Sequence, residues 1–188
     1  MANPQQLAIL KNSIQQWNQW RLENINQLID LTLAPLDETN LSGANLSEAN
    51  LSRAYLTGAN LSQANLSRAN LTGAYLINAS LIKANLIDSN LTGANLIKIN
   101  LSYANLSHAN LTGADMMRAN LSHTNLHQTN LTGVELSEAN LSNAKLDRTN
   151  LTNANLSYAD LTNAHLLHTC LASTNLQEAI ISTGTKQE

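Results

Sequence analysis

The sequence predicts a four-sided solenoid, a chain that turns one corner every five residues and stacks each circuit on the one before. Three observations predict it. Leu recurs at five-residue intervals from Leu41 to Leu176 without an insertion, in 28 units of which 27 hold Leu and one holds Met116. That interval suits neither regular structure. In a helix, five steps would rotate each successive Leu by about 140° and scatter them around the cylinder; in a strand, the odd spacing would send Leu46 and Leu51 to opposite sides. Finally, the string Asn-Leu-Thr-Gly-Ala recurs at 70–74, 90–94 and 110–114, and with Val134 in last place at 130–134, always 20 residues apart. Four units therefore close one circuit, and Gly73, Gly93, Gly113 and Gly133 stack in one column. A three-sided coil would repeat every 15 residues, and only the Gly58 to Gly73 spacing supports that.

The elements follow in chain order. Asn3 is placed to cap a helix with Pro4 in its first turn, and Leu7, Leu10, Ile14 and Trp17 then recur on one apolar face. This segment, with Trp17 and Trp20, is expected to cover the open end of the first coil, where unpaired backbone would otherwise invite association. Leu22, Ile25, Leu28 and Leu31 lead into an irregular first coil with Pro35 before Leu36. Residues 1–35 are thus read as helical cap and lead-in, 36–181 as the solenoid, and 182–188 as a polar tail.

Within the solenoid each position has a job. Two places before the central Leu stands Ala in 19 units and Thr in six, the rest being Ser89, Ile99 and Val134; one place before it stands Asn in 19. Leu and Ala point inward, and Asn satisfies backbone groups at the corner through its side chain. The two places after Leu, mostly Ser or Thr and then a variable polar residue, face water. At the C-terminal end no capping helix is visible, and Ile180 and Ile181 offer apolar cover for a dimer built on that edge.

This pattern resembles the A(N/D)LXX motif of the pentapeptide-repeat family, including its cyanobacterial members, over about three quarters of the chain. The resemblance implies an all-β solenoid, a right-handed quadrilateral β-helix. About seven coils at about 4.8 Å would make a rod roughly 34 Å long.

Composition narrows the function. Aromatic residues are 3%, charged residues 12%, and Phe is absent, while the net charge is −3. There is no basic field for nucleic acid, no apolar run of transmembrane length, and no signal-peptide pattern at the start. The lone Cys170 fits a reducing compartment, so a cytoplasmic location is expected. Cofactors and metals are not expected. His123 and His127 lie on adjacent units, and His108 and His168 share a column only with Gln128 and Arg148 between them. Ser is scaffold, Cys170 has no marked basic neighbourhood, and no enzyme is expected.

Two functional classes remain beside a purely structural role. One is a scaffold whose rigid surface binds a protein of unknown identity; the other is a DNA mimic acting on gyrase, a role that the resemblance brings with it. Mimicry asks for a strongly acidic rod, and Arg53, Arg68, Lys83, Lys98, Arg118 and Arg148 dilute the acids here. The departures from the repeat favour the scaffold. The wall centred on Leu56, Leu76, Leu96 and Met116 carries Tyr55 and Tyr75 where Asn is usual, and Ile77, Ile97 and Met117 where Ser or Thr is usual. With Lys98 and Arg118 alongside, it is the expected protein-binding site.

Overall fold

The structure, a computed structural model, describes residues 1–182. Two helices, α1 (Pro4–Asn12) and α2 (Ile14–Glu23), precede a coil that continues to the end of the described chain. Single-residue parallel bridges join each residue before a centre to the one 20 places on, from Asp30↔Asn50 to Asp160↔Ile180. The circuit is therefore four-sided. Its first wall is centred on Leu36, Leu56 and so on to Leu176; the second runs from Leu41, the third from Leu46, and the fourth from Leu31. The first wall lies opposite the third. Coiling begins within the segment read as lead-in, because Asp30 is already bridged.

Each corner is one turn. The centre carbonyl accepts from the N–H three residues on, as Leu51 O does from Ala54 N at 3.0 Å. The residue two past the centre has positive φ at every corner from Leu33 to Glu178. One positive φ in third place, with that hydrogen bond, describes a type II turn. Val, Ile and Thr never occupy the position, because a β-branched side chain tolerates positive φ worst. Between corners, three bonds tie each unit to its neighbours: Leu51 N to Asn70 O, Arg53 N to Thr72 O, and Asn70 N back to Ala49 O, at 2.7, 2.9 and 2.9 Å.

Alternation along each short wall sends the centre and the residue two before it inward. From Leu31 to Leu161 the centres are fully buried, and so are the Ala residues beside them. Where Thr replaces Ala above the first coils, its hydroxyl finds an acceptor in the coil below: Thr124, Thr129 and Thr149 donate to Leu101 O, Leu106 O and Leu126 O at 2.9, 2.8 and 2.6 Å. A buried hydroxyl is tolerated only with such a partner. Asn supports the corner through Oδ1, which accepts from the N–H two residues on, as at Asn110 from Thr112 N at 3.1 Å. Glu135 does the same work in that place, accepting from Ser137 N at 2.9 Å and from Asn155 Nδ2. Burial opposes its ionisation, yet the bonds from Ser137 and Asn155 outweigh burial and hold the carboxyl below its ordinary range.

The N-terminal segment differs from the single apolar helix expected. Ser13 is extended and breaks it: its N–H donates to Ile9 O at 3.2 Å, ending α1, and its hydroxyl accepts from Gln16 N at 3.3 Å, starting α2. Leu10 and Trp17 are buried on the first coil, with Trp20 stacked 5.3 Å from Trp17. Polar side chains of both helices complete the open edge. Trp17 Nε1 donates to Asn45 O, Asn18 bonds both Gly43 O and Asn45 N, Lys11 Nζ donates to Pro35 O, and Gln6 takes Leu28 O and Asp30 N. Pro35 keeps the register, standing where a first-coil N–H would face outward without a coil below. Leu22, Ile25 and Leu28 are exposed rather than packed into the first coil.

Candidate protein-binding wall

The first wall positions its outward side chains by the same alternation that buries its Leu residues. Tyr75 and Ile77 flank the inward Leu76, so both project from one face. Tyr55 and Tyr75 are one coil apart and stack, ring centroids 5.4 Å apart and planes within 6°, each 43% exposed. Ile77, Ile97 and Met117 follow in successive coils through Asn78 N to Ile97 O and Lys98 N to Met117 O, at 3.0 and 2.9 Å, and all three are half-buried. Beside the tyrosines a groove of about 500 Å³ runs over Gly73 and Gly93, with Leu33, Arg53 and Asn95 among its lining. The missing side chains at this corner make the groove.

Charge on this wall is partly spent within it. Lys98 is exposed, whereas Arg118 donates to Glu138 through Nε at 2.9 Å and Nη2 at 3.1 Å. The pair raises Arg118 and lowers Glu138 from their ordinary values. Both groups are fully exposed, so water screens the attraction.

Elsewhere the structure brings rings of successive coils together. Tyr103 and His123 stack at 4.6 Å and 5°, and His108 meets His127 edge-on at 6.1 Å. The 20-residue register contains the first contact, since 103 and 123 share a column. No group of three or more potential metal ligands forms among the described residues. Cys170 is exposed with Thr152 Oγ1 3.3 Å from its sulfur, and hydrogen bonds from Thr152 and the Ala172 N–H lower the thiol from its ordinary value. No helix among the described residues is long and apolar enough to cross a membrane.

A family model described as pentapeptide repeats matches residues 34–73, 69–102, 99–137, 135–171 and 146–182, in 8 copies. The chain belongs to the pentapeptide-repeat family. The family's right-handed quadrilateral β-helix is the coil described above, and no catalytic family is indicated. Among solved structures the chain is similar to HetL, a pentapeptide repeat protein involved in heterocyst differentiation regulation from the cyanobacterium Nostoc. The identity is 31%, covering 84% of this chain and 92% of that one, with a TM-score of 0.41. A pentapeptide repeat protein from the Arabidopsis thaliana thylakoid lumen is 34% identical, covering 57% of this chain and 71% of that one, with a TM-score of 0.44. QnrB1, a plasmid-mediated fluoroquinolone resistance protein, is 17% identical, covering 82% of this chain and 87% of that one, with a TM-score of 0.42. No curated protein matches the chain.

Proposed function

We propose that this protein is a non-enzymatic cytoplasmic scaffold, a rod of about seven coils, that binds another protein through its first wall. The observation that carries the reading is the stacked Tyr55 and Tyr75 beside Ile77, Ile97 and Met117. The repeat does not need these side chains for its core, and tyrosine joined to aliphatic surface is the composition of binding patches. Lys98, in no ion pair among the described residues, supplies a cation at the rim, and Arg118 joins it when a partner carboxylate displaces Glu138. The C-terminal edge is proposed to pair with a second copy. Leu171 N and Leu176 N meet no acceptor among the described residues, and Ile180 and Ile181 are exposed beside them.

The test compares two variants in affinity capture from native extract. Ile77, Ile97 and Met117 are changed to Ser or Thr in one; Ser102, Ser122 and Ser142 of the second wall are changed to Thr in the other. Both keep the repeat code and are expected to fold. Only the first is expected to lose its partners, and equal recovery by both disposes of the site. Gyrase supercoiling is measured alongside and is expected to be unaffected; inhibition that survives the first variant favours DNA mimicry instead.

A further inference from the structure

All five histidines gather on the third wall and its two corners, opposite the wall just described. His127 and His165 project from the wall itself, His123 stands on the corner leading into it, and His108 and His168 stand on the corner leaving it. His127 is half-buried and the other four are exposed. Permanent cations share the surface. Lys145 is bridged directly to His165, Arg148 precedes His168 by one coil, and Lys83 precedes Tyr103 by one coil in the column that holds His123.

Three acids share this wall and its corners with four cations, Arg68 among them; Asp147 follows His127, and Asp88 precedes His108, by one coil. Asp147 Oδ1 accepts from Leu167 N at 3.2 Å. Glu48 and Asp88, nearer the N-terminus, face Arg68 at 3.4 and 4.0 Å. No ion pair holds Lys83, Lys145 or Arg148 among the described residues. The first wall and its corners are the reverse, with Asp37, Glu38, Asp115, Glu135, Glu138 and Glu178 against Arg53, Lys98 and Arg118. A chain of net charge −3 thus carries one wall whose permanent cations outnumber its acids, by four to three.

We propose that this third wall is a second docking surface, one that takes a carboxylate-rich segment of a partner protein and holds it more tightly as the pH falls. Histidine is the side chain whose charge changes between about pH 5 and pH 8. A neutral histidine offers an N–H donor to a carboxylate, and one that gains a proton adds its charge to the cations of this face. Protons taken up on binding make the affinity rise with acidity. A nucleic acid is a poorer fit, since its affinity comes from Lys and Arg neutralising many phosphates. An anionic membrane is poorer too, because Ile87 and Leu167 are the only large aliphatic side chains projecting from the wall.

A fluorescein-labelled polyglutamate peptide tests the surface by anisotropy at low ionic strength. Wild type is expected to bind it roughly tenfold tighter at about pH 6 than at about pH 8. Changing all five histidines to Gln is expected to abolish the rise, whereas Lys145→Gln with Arg148→Gln weakens binding at both pH values and keeps the rise. Should the fivefold variant fail to fold, the pair His165→Gln and His168→Gln carries the same comparison, with a reduced rise expected. The variant at Ile77, Ile97 and Met117 is expected to bind polyglutamate as wild type does, so failure here is separable from failure of the first-wall site. The proposal is overturned if wild type does not bind, if the rise persists without the histidines, or if single-stranded DNA or phosphatidylserine vesicles bind more tightly than polyglutamate.

Discussion

The residue two places after each central Leu carries the backbone's least favourable conformation. Positive φ at this place is met by Gly at six corners and by residues such as Arg68, His108 and Tyr158 at the others. For an L-residue the left-handed region costs roughly 1–2 kcal/mol, and least for Asn, whose side chain bonds locally. Gly93 isolates the effect, because a Cβ there would meet nothing within 4 Å. Gly93→Val is expected to destabilise the protein by about 1–2 kcal/mol in urea denaturation, and Gly93→Asn by clearly less. Equal losses would mean that crowding, not φ, governs the corner. The Gly column was legible in the sequence. The left-handed state of the other corners was not, since its sign there is the absence of Val, Ile and Thr, and an absence is hard to read in a position that otherwise varies freely.

At the scale of elements, the cap works through hydrogen bonds as well as apolar cover. Asn18 bonds Gly43 O at 3.0 Å and Asn45 N at 2.8 Å, and Trp17 Nε1 reaches Asn45 O at 2.8 Å, so both side chains of α2 stand in for a missing coil. Trp17→Ala is expected to cost about 3–5 kcal/mol and Asn18→Ala about 1–3 kcal/mol. Amide exchange at residues 41–47 should accelerate in both variants before the middle coils are affected. Exchange that rises uniformly along the rod would contradict a local capping role. Leu10 and Trp17 were recognisable as cap residues by their spacing, but the break at Ser13 was not. Apolar periodicity runs through Ser13, and only the geometry of the first coil decides that two short helices fit its end.

For the whole molecule the two ends are unequal. The N-terminal edge is covered, whereas Leu171, Leu176 and Ala179 are only partly buried at the other end and Ile180 is 58% exposed. Sedimentation is expected to show a dimer at high concentration, and Ile181→Lys to return it to monomer through like-charge repulsion at a two-fold interface. A wild-type monomer at high concentration, with Ile181→Lys unchanged in solubility, would leave the edge without a self-pairing role. Expectations for the tail beyond residue 182 lie outside the described residues.

By itself the sequence determined the coil: five residues per corner and 20 per circuit decide which side chains stack, because an uninterrupted repeat transmits its register through every unit. The first-wall strip of Tyr55, Tyr75, Ile77, Ile97 and Met117 was readable for the same reason, each residue breaking a rule that its neighbours keep. Tertiary structure alone decided how side chains that the register brings near one another use their reach. Arg118 turns to Glu138 instead of solvent, Tyr103 lies flat on His123, and His108 meets His127 edge-on. These relations lie within a column or between neighbouring columns, where the register brings the groups near and side-chain reach and rotamer settle whether they meet.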